Sequence, residues 1–164
     1  MGSMDRGAFS VREAALKLLS VRQRSVMELR QRLLQKNYSA EDTESCLATL
    51  KAQRLLDDKM FAEAWAGRGA RKLIGRNRLR QELQAKGVVR EVIQGAVGIS
   101  SDLEERAHAL KVARQKWKTL SKVPVESGRR RLYGTLTRRG FESSVIRSVV
   151  QLVTKGGNDD DERD

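Results

Sequence analysis

Residues 79–88 read Leu79-Arg80-Gln81-Glu82-Leu83-Gln84-Ala85-Lys86-Gly87-Val88. The pattern recurs without gaps as Leu29-x-x-x-Leu33-x-x-Lys36-Asn37-Tyr38 and as Leu132-x-x-x-Leu136-x-x-Arg139-Gly140-Phe141. Leucines four apart share one helix face, and a cation in the last turn meets the negative end of the helix. Glycine or asparagine then supplies the left-handed residue that stops a helix, and the apolar residue after it folds back. Val92-Ile93 and Val145-Ile146 begin a matching helix after the second and third copies. A helix pair leaves an apolar face open, so three helices per copy, stacked end to end, make the stable unit.

Working outward from this repeat, Ser10-x-x-Glu13, Ser25-x-x-Glu28 and Ser101-x-x-Glu104 each match a capping box. Ser39 is placed to cap a helix running through Cys46, Leu47 and Leu50. With the apolar periodicity, these signals predict helices near 11–22, 26–36, 40–53, 58–72, 76–86, 89–97, 102–120, 126–139 and 142–154. One proline, Pro124, and 4% aromatic residues disfavour a β-sandwich. The expectation is an all-α chain of three tandem three-helix modules, residues 11–56, 57–100 and 101–155, in an elongated, curved array. Residues 156–164 read as a flexible acidic tail.

At 164 residues the chain is too short for two ordinary enzyme domains. Its 33 Lys and Arg outnumber 21 Asp and Glu, and five of those acids sit in the run 159–164, so the rest is more basic than the net +12. Such an excess attracts polyanions, of which nucleic acid is the commonest. The longest apolar stretch, around Val149–Val153, falls far short of a membrane span of roughly 20 residues. No secretory pattern opens the sequence, and Cys46 is alone, so a reducing cytoplasm without membrane partners is expected.

Sites for chemistry are scarce. His108 has no second histidine or cysteine near it, and Cys46 falls at an apolar helical position, so both read as packing residues. In the pair Asp57-Asp58 one acid reads as a cap and the other as a complement to the positive helix end. Gly67, Gly69 and Gly75 lack the spacing of a phosphate loop. Trp65 and Trp117 lie on apolar stripes, Phe61/Trp65 and Leu103/Ala107/Leu110/Trp117, and read as core. No catalytic residue, metal ligand or cofactor is therefore expected.

The cations are different because they cluster: Arg68, Arg71, Lys72, Arg76, Arg78, Arg80, Lys86 and Arg90, then Arg129, Arg130, Arg131, Arg138 and Arg139. Like charges on one turn repel unless an anion neutralises them. The residues expected to contact a polyanion are Arg71, Lys72, Arg76, Arg78, Arg80, Lys86, Arg129, Arg130 and Arg131. If about six of them met single-stranded phosphates, log K would fall against log salt with a slope near −4.

The run Leu55-Leu56-Asp57-Asp58-x-x-Phe61-Ala62-x-x-Trp65 continues to Gly75-x-x-Arg78-Leu79-x-x-Glu82-Leu83-x-x-Lys86-Gly87-Val88. It resembles the signature of the RecX regulatory protein family. Ser25-x-x-Glu28-Leu29-Arg30-x-x-Leu33 and Leu136-x-x-Arg139-Gly140-Phe141 resemble the family's first and last repeats, so the likeness spans about residues 11–154. Leu56, Asp57, Asp58, Phe61, Trp65, Gly87 and Gly140 carry it as structural motif residues, and Arg78 and Lys86 are the expected contacts that fall on motif positions. Two departures stand out: Arg54 replaces a usual glycine, and Arg76 stands where proline is frequent.

The resemblance implies a non-enzymatic, negative modulator of the RecA recombinase. Such a protein lodges in the groove of the RecA filament on single-stranded DNA and suppresses ATP hydrolysis, strand exchange and co-protease activity. It implies that the chain can bind DNA itself; single-stranded and double-stranded DNA are the expected forms, and a monomer is the expected state. The competing expectation is an independent DNA- or RNA-binding regulator of the helix-turn-helix type, which would read base edges. The acidic tail is expected to compete with DNA for the basic face.

Overall fold

The computed structural model describes residues 10–155, and among them every regular element is a helix. In chain order these are α1 (Val11–Val21), α2 (Val26–Gln35), α3 (Ala40–Ala52), α4 (Asp58–Arg71), α5 (Arg76–Ala85), α6 (Arg90–Gly98), α7 (Asp102–Lys118), α8 (Val125–Arg138) and α9 (Ser143–Lys155). Each end falls within one or two residues of the sequence expectation. The acidic tail lies outside the described residues. No described helix is long and apolar enough to cross a membrane.

Local chemistry sets the helix starts. Ser10 with Glu13 and Ser101 with Glu104 form reciprocal capping boxes, while Ser39 accepts the Asp42 amide. Asp57 Oδ1 accepts the amides of Lys59 and Met60, the expected cap of α4. Two expectations need correction. Ser25 accepts the Glu28 amide, but the Glu28 carboxylate does not return to the cap, because Arg22 and Lys86 hold it more strongly than a neutral amide could. Asp58 caps another helix as well: its Oδ1 accepts the Val26 amide at 2.9 Å, satisfying a free donor at the start of α2.

The chain condenses into two compact units. The first joins the described residues through Ala64 to Leu83–Ile93, and the second joins Trp65–Glu82 to the residues from Gln94 onward. The division runs through α4, α5 and α6, so it is a different partition from the threefold repeat.

In the first unit α1, α2 and α3 pack on one another through Ala14, Ala15, Leu29, Leu33, Cys46, Leu47 and Leu50. In the second, α7, α8 and α9 enclose Ala109, Val112, Ala113, Leu132, Leu136, Phe141, Ile146 and Val149. All six repeat leucines are buried, each contributing roughly 1.5–3 kcal/mol. The stops also match: Asn37, Gly87 and Gly140 have φ of 63°, 72° and 80°.

The stripe expected on α7 holds in its second half, where Leu110 and Trp117 pack against the core of their unit, and fails in its first. Leu103 is 78% exposed and Ala107 is exposed, whereas Glu105, Ala109, Val112 and Ala113 face inward. Packing against α8 and α9 chose the face, and Glu105 has a task on it described below. Trp65 and Trp117 are both partly buried: Trp117 packs against the core of its unit, and the Trp65 indole Nε1–H donates to Glu82 at 3.0 Å. Cys46 is buried as expected, and burial pushes its thiol up, so it stays protonated.

Candidate nucleic-acid interface

Two of the three stop sequences, at Gly87 and Gly140, are joints. At the end of α8, the carbonyl of Arg139 accepts the Gly75 amide at 2.8 Å and the carbonyl of Gly140 accepts the Asn77 amide at 2.9 Å. Glu105 Oε1 takes the Arg76 amide between them at 3.1 Å. Three donors at the start of α5 are thus satisfied by the negative end of another helix and by a carboxylate, which aligns dipole with dipole. The approach requires glycine: a Cβ on Gly140 would overlap Arg78 backbone, and one on Gly75 would overlap the Gly140 carbonyl.

The end of α5 meets the start of α2 in the same manner. Ser25 Oγ donates to the Lys86 carbonyl at 2.6 Å, and a Cβ on Gly87 would lie 2.5 Å from Met27 Cβ. Lys86 Nζ and Arg22 both bind Glu28, whose side chain is 13% exposed. Burial alone would raise the Glu28 carboxyl, but hydrogen bonds from Arg22 and Lys86 outweigh it and bring the pKa down to about 2.

The joint in the second unit gathers cations. Arg139 Nη1 donates to the carbonyls of Lys72 and Leu73, covering the end of α4, and Arg78 Nη1 reaches the Arg138 carbonyl at 3.5 Å. Lys72, Arg78, Arg138 and Arg139 therefore converge from three helices, with Arg71 adjacent to Lys72 and Arg68 one turn back along α4. Arg68 lies over the Trp65 ring, 5.8 Å from its centroid. Along α8, Arg131 and Arg138 are seven residues apart, hence on one face about 10 Å from each other.

The nine expected contacts divide by what they already hold. Arg71, Lys72, Arg130 and Arg131 are exposed and make no ion pair among the described residues. Arg78 pairs with Glu82, Arg80 with Glu142, and Arg129 with Glu126, all at the surface. Arg76 is only 16% exposed, bridging Asp102 and the buried Glu105 and donating to the Ser100 carbonyl. Lys86 lies in the first unit, tied to Glu28. Arg138, not among the expected contacts, is also exposed and makes no ion pair among the described residues. The seven-residue spacing from Arg131 was the signal that could have found it.

No group of His, Cys, Asp and Glu among the described residues could hold a metal ion. A cavity of about 220 Å³ in the first unit is lined by Leu19, Arg24, Arg54, Met60 and Phe61 among others. Its one carboxylate, Asp57, already accepts helix amides, so the lining holds no acid–base pair.

Family models for the first, second and third three-helix domains of RecX match residues 12–50, 57–97 and 104–150. A "Regulatory protein RecX" of Pelodictyon phaeoclathratiforme is 35% identical over 159 residues, 96% of this chain and 98% of the relative. Another, of Mycobacterium leprae, is 37% identical over 139 residues, 82% of this chain and 80% of its own. The crystal structure of RecX from Lactobacillus salivarius has the same fold, with a TM-score of 0.80 at 19% identity, covering 87% of this chain and 94% of that one.

Proposed function

The chain belongs to the RecX family of regulatory proteins, and from that membership we propose that it is a negative modulator of the RecA recombinase in the cytoplasm. In this reading it lodges in the groove of the RecA filament on single-stranded DNA. There it slows ATP hydrolysis, strand exchange and co-protease activity by occupancy rather than by chemistry.

One observation supports the nucleic-acid side of this reading: the fold gathers Lys72, Arg78, Arg138 and Arg139 at a single joint, beside Arg71. Gathered like charges raise the energy of the free chain, and a polyanion relieves it on binding. The phosphate surface is assigned to Arg71, Lys72, Arg78, Arg80, Arg129, Arg130 and Arg131, with Arg138 added. Arg76 and Lys86 serve the joints. A helix-turn-helix regulator reads bases with the first residues of a recognition helix. The starts of α2 and α5 are instead docked on the ends of α5 and α8, which favours backbone contact over sequence readout.

The test is a titration of the chain into RecA, single-stranded DNA and ATP, following hydrolysis alongside filament length. Falling hydrolysis with arrested or shortened filaments is expected. Unchanged hydrolysis, together with strong preference for one DNA sequence, would replace this reading with the independent regulator.

A further inference from the structure

We propose that the acidic run 159–164 docks on the N-terminal arginines of α8 and competes with nucleic acid for them. The inference rests on reading α8 as a phosphate-contacting helix, and it adds a control on that same surface.

The position where the described chain ends carries the argument. Thr154, in the last turn of α9, is buried, and its Oγ1 accepts a hydrogen bond from Arg129 Nε at 3.1 Å. The chain therefore leaves α9 at Lys155 beside the second turn of α8. Arg130 and Arg131 follow Arg129 there, exposed and without an ion pair among the described residues. Only Gly156, Gly157 and Asn158 separate Lys155 from the first acid. At ~3.3–3.6 Å per extended residue, Asp159 comes within about 14 Å of Lys155 and the last acid within about 30 Å. The first two turns of α8 span only about 10 Å, so the acids can reach all three arginines.

The charges are complementary: the run 159–164 holds five acids, Asp159, Asp160, Asp161, Glu162 and Asp164, offset by Arg163 alone, and the start of α8 holds three guanidiniums. A covalent tether of this length holds the acids at an effective concentration in the millimolar range, enough to compete with DNA at low salt.

The experiment measures affinity of the full-length chain for a labelled oligo(dT) across salt. It compares the native chain with the variant Asp159→Asn, Asp160→Asn, Asp161→Asn, Glu162→Gln, Asp164→Asn. The neutralised chain should bind several-fold tighter at low salt and show a steeper salt slope, and the two curves should converge at high salt. Both are then repeated with Arg130→Gln and Arg131→Gln, where neutralising the acids should bring no gain. Equal affinities of the native and neutralised chains would overturn the inference, as would a gain that survives loss of the arginines, since the acids would then act from a distance. If the arginine substitutions leave oligo(dT) affinity unchanged in both backgrounds, it is the assignment of α8 to the phosphate surface that fails.

Discussion

Arg54 sits at the turn before α4 with φ of 57°, a conformation that costs a residue bearing a Cβ roughly 1–2 kcal/mol. A glycine at this position would carry no such cost. Arg54→Gly is expected to raise stability by about 1 kcal/mol, seen as a Tm several degrees higher; an unchanged or lower Tm would refute the strain. Glu28 gives a second residue-scale expectation. A carboxyl whose pKa falls from 4.5 to about 2 on folding stabilises the fold while ionised. Its contribution, ~3 kcal/mol by linkage, is complete above pH about 4.5 and is lost as pH falls through about 2. Glu28→Gln should therefore lower stability at neutral pH and flatten the loss across that acid window, measurable by urea unfolding from pH 2 to 7. The cap itself was legible in the spacing of Ser25 and Glu28. The diversion of the carboxylate was not, because Lys86 is remote in sequence and nothing local announces it.

Elements were legible where the signal is local. Caps, leucine pairs, left-handed stops and apolar periodicity together placed the described helices, since each acts within a few residues. The buried face of the first half of α7 was not legible, because two apolar stripes compete on that helix and only its neighbours decide between them. Leu103 lost to Glu105, whose carboxylate is needed at the start of α5. The glycines of and near α8 make a graded test of the joint. Gly134→Ala, with only the flexible end of Arg138 nearby, should stabilise the helix by about 0.5–1 kcal/mol. Gly128→Ala, pressed on the Trp117 ring, should cost about 1–3 kcal/mol. Gly140→Ala, with φ of 80° and Arg78 backbone in the way, should cost about 2–4 kcal/mol and loosen the start of α5. Denaturant titrations of the three variants check the order, and amide exchange at Asn77 checks the joint.

On the scale of the molecule, the repeat explains how joints form and why they are so few. Gly75 and Ser25, each four residues before a leucine pair, receive a neighbouring stop, while Gly128 in the third copy is covered by Trp117. Asn37 carries a Cβ where both docked stops are glycine. Composition announced a basic protein, but not which cations are already neutralised. The acids that hold Arg76, Arg80 and Lys86 lie remote in sequence, at Asp102 and Glu105, Glu142 and Glu28. In the proposed function the cations left over at the joint of α4, α5 and α8 meet phosphates. This contact is tested most directly by the salt dependence of single-stranded DNA affinity for the native chain, for Arg71→Gln/Lys72→Gln/Arg138→Gln, and for Arg76→Gln. Losing three phosphate contacts should make the slope of log K against log salt shallower by about 2, while Arg76→Gln lowers stability and leaves the slope unchanged. A triple variant with the native slope, or an Arg76→Gln slope that falls as far, would contradict it.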